Sequence, residues 1–325
     1  MNWQLLLDNL SNPALLFFVL GVLAVRVGSD LEIPSGSSRF ISLYLLFCIG
    51  FKGGQELTHS SLNMEMFQTM GFGILMACLV PIYSFFFLKK RFGVENAGAI
   101  AAAYGSVSAV TFVTAISFLE ALRISFSGHM VAVMALMEAP AIVVGVMLVR
   151  QFAGRQNTHS GGIGHLLRHS LTNGSVFLIL GSLVIGFLSS EKQALGIKPF
   201  TTDIYKGFLA IFLLDMGITS GRKLEEFFKS GWSAAAFAVL MPMVNGCLTA
   251  WVSGWITADT GNRLLLSILA ASASYIAVPA AMKIAVPKAN PGLFLPMALA
   301  VTFPFNITVG LPLYLSLIQM SGGPT

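Results

Sequence analysis

"YGSVSAVT", residues 104–111, and "SASYIAVP", residues 272–279, decide how this chain is read. Both lie in the middle of long apolar runs, where a helix crossing lipid is normally most uniformly hydrophobic. Serine, glycine and proline at that depth call for an account. Proline removes a backbone donor, and its ring clashes with the preceding turn. Within lipid, backbone groups freed in this way are tolerated only where protein or a water-filled cavity satisfies them. The two stretches are therefore expected to be points at which two membrane helices break.

The rest of the chain supports a membrane setting. Hydrophobic residues make up 55% of the 325, and charged residues only 10%; the mean hydropathy is +0.80. A soluble domain carries roughly a quarter of its residues charged, so this composition excludes one of any size and points to a polytopic membrane protein. A helical span needs about 20 apolar residues to cross a hydrocarbon core about 30 Å thick. Spans are expected at 13–29, 40–57, 67–88, 96–119, 127–149, 173–190, 204–221, 231–256, 263–284 and 293–318. No Lys or Arg precedes the first run, which is expected to be a span rather than a secretory leader. Cys48, Cys78 and Cys247 lie in apolar runs without zinc spacing and read as small packing residues.

The two halves resemble each other. "CIGFKGGQEL" (48–57) and "DMGITSGRKL" (215–224) match at Gly50/Gly217, Gly54/Gly221 and Leu57/Leu224, an offset of 167. Ser106, Ala109 and Val110 match Ser274, Ala277 and Val278 at an offset of 168. Two ordered matches at nearly one offset favour an internal repeat. Five spans per copy is an odd number, so the second copy enters the membrane inverted, a recurring plan of secondary transporters. The expected fold is all-α: ten transmembrane helices as two inverted five-helix repeats, with helices 4 and 9 interrupted. The repeats are expected at 1–149 and 173–325, joined by a linker at 150–172.

Thirteen of the nineteen Lys and Arg fall on the side of the odd-numbered loops, including Lys89, Lys90 and Arg91. The positive-inside rule makes that side cytoplasmic. The linker then faces the cytoplasm, and both termini are external. The net charge of +5 is mostly this topological signal and calls for no nucleic-acid partner.

A half-helix that starts at a break presents unpaired N–H groups and the positive end of its dipole, which suits an anion. Hydroxyls and unwound carbonyls suit a hard cation such as sodium. Gly105, Ser106, Ser108 and Thr111 supply one break; Ser272, Ser274 and Tyr275, followed by Pro279, supply the other. A single stretch of this kind would be read as small residues letting helices pack closely. Two symmetric ones, each central in its span, favour a site.

Ionisable residues inside the spans add to this. Glu138 in "MEAPAIVVG" and Asp215 lie mid-span, where a carboxylate is costly and marks a pathway or a buried pair. Lys52 is either a pathway residue or the structural partner of Asp215, while Arg26 is close enough to a helix end to snorkel. His159, His165 and His169 in the linker have no Cys or carboxylate near them and read as an interfacial stretch rather than a metal site.

At these residues the chain resembles the sodium-dependent bicarbonate transporter family, best known from the cyanobacterial carbon-concentrating system. The likeness runs along essentially the whole chain, through "IGFKGGQEL", "YGSVSAVTF", "EAPAIVVG", "LLDMGITSGRKL", "SASYIAVPAAM", "PKANPG" and "TFPFNITVGLPLY". The resemblance implies ten spans in inverted repeats, a homotrimer in the bacterial inner membrane, and an anion between the broken fourth and ninth spans with sodium beside it. Carried over, Gly105, Ser106, Ser108 and Thr111 would face Ser272, Ser274 and the Tyr275, Ile276 and Ala277 backbone. The cyanobacterial branch has an aspartate where this chain has Tyr275. Here Ser108, Thr111 and Ser274, with Glu138, are the candidate sodium ligands. The resemblance also implies a small nucleotide-sensing regulator at the cytoplasmic linker, which is shorter here than in that branch. Bicarbonate, sodium and membrane lipid are the expected partners, with no resident cofactor.

Other functions remain open at this point. Crossed broken helices and buried carboxylates also suit a cation/proton antiporter, or a carrier of another small anion. A membrane-embedded enzyme would need a Ser–His pair, an aspartate pair or a His-rich metal site, and none appears. A receptor or scaffold would not account for paired breaks.

Overall fold

The structure, a computed structural model, describes residues 11–59, 63–153, 174–228 and 231–321. His159, His165 and His169, with the expected linker beyond Ala153, lie outside the described residues. Every regular element among the described residues is helical.

Local sequence accounts for many of the helix ends. Helix α1 (Pro13–Arg26) starts with Pro13 at its first position, and the Asn12 side chain accepts the Ala14 N–H at 3.0 Å. Helix α2 is Ser35–His59. Helix α3 (Met64–Phe92) is capped by Asn63 and stops at Gly93, whose φ of 78° suits a glycine. Then come α4 (Val94–Gly105), α5 (Ala109–Ala121), α6 (His129–Phe152), α7 (Gly174–Leu188) and α8 (Glu191–Lys198), the last with a Ser190/Gln193 capping box. A π-turn leads into α9 (Tyr205–Phe228), followed by α10 (Trp232–Val252), α11 (Thr260–Ala271), α12 (Ala277–Ala285) and the run α13 (Pro291–Met320). Two π-turns, at Met297–Thr302 and Asn306–Gly310, interrupt α13.

A helix lies at each of the ten expected spans. Six helical stretches are long and apolar enough to cross a membrane by length and composition; α1 and Phe177–Leu188 in α7 are apolar but shorter. Helix α2 carries Arg39, Lys52 and Glu56 along its 25 residues, and the ninth expected span is divided between α11 and α12. The chain is thus a multi-pass membrane protein.

The helices pair crosswise. Helix α1 from the first half packs along α9 from the second, and α7 from the second half packs along α2 from the first. The recurring glycines make these contacts. A Cβ on Gly54 would strike the Leu183 carbonyl of α7, and one on Gly217 would strike the Phe18 carbonyl of α1. Gly186 and Gly21 answer from the opposing helices against Phe51 and Leu214. This is small-residue packing that lets backbones touch, and it explains why the Gly-xxx-Gly spacing occurs twice. The remaining long helices form a second group: α3 lies against α4 and α6, and α10 against α11. Helices α2 and α9 face that group along a seam.

Candidate functional site

Helix α4 ends at Gly105 and α5 begins at Ala109; α11 ends at Ala271 and α12 begins at Ala277. Helices α4 and α11 each have 12 residues, so two half-helices of equal length precede the breaks. Pro279 is the third residue of α12, where the missing N–H costs nothing and its ring bars continuation from α11.

The two unwound segments meet. The Ser274 N–H donates to the Ala103 carbonyl at 2.8 Å, and the Ser108 N–H donates to the Ser272 hydroxyl at 3.1 Å. Ser272 in turn donates to Leu269 within its own helix end. Ser108 caps α5, its hydroxyl accepting the Thr111 N–H at 3.1 Å. The Ala109 and Val110 N–H groups find no acceptor among the described residues.

Breaking α11 also strips partners from its last carbonyls. Two asparagines supply them: Asn245 of α10 donates to Ala270 at 3.2 Å, and Asn306 of α13 donates to Ala271 at 2.8 Å. Tyr314 braces Asn306, and Tyr83 donates to Asn245 at 2.6 Å. Asn306 opens a π-turn, a helix distortion frequent at functional sites. The sequence reading missed both asparagines. The argument applied to Glu138, a polar group at mid-span, would have flagged them.

A cavity of about 40 Å³ lies where the breaks meet. Ser108, Ala109 and Val110 line it from one side, Ser274, Tyr275, Ile276 and Ala277 from the other, and Glu138 of α6 and Ser42 of α2 complete it. Glu138 has neither an ion pair nor a hydrogen bond among the described residues. Ser42 is a lining residue that the sequence did not single out. Three of the four candidate sodium ligands, Ser108, Ser274 and Glu138, therefore share one cavity.

Gly105, Ser106, Thr111, Ser272, Asp215 and Lys52 are not among the lining residues of this cavity. Gly105 packs against the Pro81 ring and Ala141. Ser106 and Thr111 are buried, and their hydroxyls have no partner among the described residues; the Tyr275 hydroxyl also lacks a hydrogen bond of ordinary geometry there. Asp215 accepts a hydrogen bond from Ser38. Of the two roles weighed for Lys52, the pairing with Asp215 is not seen: its ammonium is 2.9 Å from Glu120 of α5. Glu120 wins because the stripe of α2 that carries Lys52 faces α5, whereas Asp215 meets the first turn of α2 instead.

A second cavity of about 250 Å³ contains the Lys52–Glu120 pair and the buried Tyr205. The two cavities follow one another along the same helices. On α2, Ser42, Leu45 and Leu46 line the first, and Ile49, Lys52, Gly53 and Glu56 the second. On α5 the lining continues from Val113 to Ile116 and Glu120, and on α6 from Met134 to Val131. Glu120 is twelve residues beyond Ser108, about 18 Å along a helix. Buried apolar side chains line the facing ends, Val113 and Met134 in the first cavity and Ile49 and Ile116 in the second.

Two broken helices that meet at a small cavity, into which an otherwise apolar helical assembly brings a few polar groups, have the architecture of a membrane transporter. The comparison with protein families agrees. Over residues 13–319, nearly its whole length, the chain matches the family described as the Na+-dependent bicarbonate transporter superfamily, and it belongs to that family. It is a transporter, not an enzyme. No curated protein matches the chain.

Proposed function

We propose that this chain is a secondary active transporter that imports bicarbonate together with sodium, holding the anion in the cavity between the breaks. The observation that carries the reading is the convergence of Ser108, Ser274 and the free N–H groups of Ala109 and Val110 on that cavity. Helix starts attract anions through such groups. A space of about 40 Å³ has room for a few water-sized groups, which favours a small inorganic anion over an organic one. For sodium the support is the pair of buried hydroxyls, Ser106 and Thr111, that have no partner among the described residues. Each such orphan costs about 1–3 kcal/mol, and cation ligation would recover that cost. Among the described residues no three His, Cys, Asp or Glu converge, so the cage would be built mainly of hydroxyls and carbonyls.

In this proposal the ten helices form two inverted repeats, 1–149 and 173–325, around a cytoplasmic linker at 150–172, with both termini external. The protein works in the bacterial inner membrane as a homotrimer, with a small cytoplasmic nucleotide-sensing regulator as the partner of the linker, and needs no resident cofactor. The cavity lies on the seam between the α1/α2/α7/α9 group and the remainder, so relative movement of the two groups alternates access. Lys52 and Glu120, one from each group, form a contact that such movement must break. Asp215 acts as a pathway residue through its bond to Ser38.

A second reading has one specific support. Glu138 faces the cavity without a counter-ion, which suits a proton as the coupling ion or cation/proton exchange. Uptake of labelled bicarbonate and a panel of small anions into proteoliposomes separates these readings. Bicarbonate accumulation driven by an imposed sodium gradient supports the proposal. Accumulation driven only by a proton gradient supports the second reading, and no bicarbonate uptake under either gradient refutes the bicarbonate assignment.

A further inference from the structure

Helices α3 and α10 are the most lipid-exposed of the six long apolar stretches. Only 39% of the most apolar window of each is buried, against 56–89% in the other four. Between them runs a groove of about 840 Å³, far larger than either cavity on the seam. Its walls are apolar, and Leu79, Phe87, Leu240, Val244 and Leu248 are all more than 40% exposed. In a bilayer this space opens onto acyl chains, and close-packed interiors do not tolerate voids of such size.

One end of the groove is charged. Arg91, in the last turn of α3, donates to Ser233 in the first turn of α10 at 3.2 Å, and Lys90 beside it is exposed. The start of α10 has no side-chain cap, so its first N–H groups add to the positive field. Trp232 is 84% exposed at the same level, a position typical of the membrane–water interface. The polar end therefore lies at headgroup depth.

The groove is crossed partway along its length, and its lining continues beyond the crossing to Phe72 and Val252. The Tyr83–Asn245 hydrogen bond crosses it, eight residues from Arg91 and twelve from Ser233, or about 12–18 Å along the helices. That is about one leaflet, half of a core about 30 Å thick. A lipid with its phosphate at Arg91 would bring the tip of its chain to this bond. Asn245 in turn holds the Ala270 carbonyl, at the end of α11 just before the break.

We infer that the α3/α10 groove is a site for an anionic phospholipid, bound through its phosphate at Arg91 and Lys90 and felt at the break through Tyr83 and Asn245. The test uses the full chain in phosphatidylcholine vesicles doped with phosphatidylglycerol that carries a photoactivatable acyl tail. It reads binding directly and does not depend on which anion is transported. Cross-links should concentrate on the headgroup side of the Tyr83–Asn245 bond, at Phe87 of α3 and at Leu240 and Val244 of α10. The double change Lys90→Gln, Arg91→Gln should lower them about tenfold, as expected for lost charge-assisted contacts. Leu240→Trp, which fills the groove with an apolar side chain, should abolish them while the protein stays monodisperse. Equal labelling from a phosphatidylcholine probe, labelling spread evenly over exposed residues of α7 such as Phe177 and Val184, or cross-links to a second copy in place of lipid would each overturn the site. Phosphatidylglycerol should also raise the melting temperature, and Tyr83→Phe should keep the cross-links but lose most of that rise. A full rise in Tyr83→Phe refutes the link to the break.

Discussion

Ser108 has two separable jobs in this structure, and separating them tests the proposed site. Its hydroxyl accepts the Thr111 N–H at 3.1 Å and also lines the cavity between the breaks. Ser108→Ala removes both. Loss of an N-cap costs about 1 kcal/mol, roughly a fivefold change in the folded-to-unfolded ratio, which a stability of 5–15 kcal/mol absorbs. Loss of a hydrogen bond to a charged ligand costs about 1.5–3 kcal/mol, roughly ten- to hundredfold in affinity. Ser108→Gly keeps most of the capping preference, losing only a few tenths of a kcal/mol, yet removes the hydroxyl completely. Both variants should therefore raise the half-saturation constant for bicarbonate uptake by tenfold or more, while only the alanine variant melts measurably earlier. Ser274→Ala should behave like the glycine variant, because its hydroxyl meets Val278 N–H at a long 3.4 Å. The assay is labelled uptake into proteoliposomes at matched protein content. Half-saturation constants within twofold of the unaltered protein in all three variants would refute the claim that these hydroxyls touch the transported ions.

Glu138→Gln should reduce uptake by more than it reduces folded protein in the membrane, compared by transport rate and quantitative blotting; equal losses would make Glu138 structural. Gly54→Ala drives a Cβ into the Leu183 carbonyl and should cost about 1–3 kcal/mol, lowering the melting temperature, whereas Gly71→Ala, inside α3 and meeting nothing within 4 Å, should not lower it. A reporter fused after Thr325 should read as external and one inserted at Gly161 as cytoplasmic; the same side for both would end the inverted-repeat proposal.

Much of the architecture was legible in the residues because lipid restricts the alternatives. Apolar runs long enough to span a membrane must be helical there, so the helix positions followed from composition and length. The breaks followed from Ser106, Ser108, Ser272, Ser274 and Pro279, since those residue types at mid-span are costly without a compensating role. Ser108 and Ser274 do line the central cavity, as does Glu138.

What the chain alone left undecided depends on which helix faces meet, and no one-dimensional pattern encodes that. The Gly-xxx-Gly spacings that suggest a repeat mark the crosswise packing of α1 on α9 and α7 on α2, and Gly105 packs against Pro81. Lys52 and Asp215 occur at related places in the two halves, yet Lys52 reaches Glu120 because its stripe of α2 faces α5. Asn245 and Asn306 take up the carbonyls that the break in α11 sets free, a need that exists only once the helix has ended at Ala271. The sequence by itself determined a polytopic helical protein with two interrupted spans, because hydrophobicity and proline act locally. Only the tertiary structure decided which polar groups share the cavity, because burial and partnership are settled between helices that are distant in the chain.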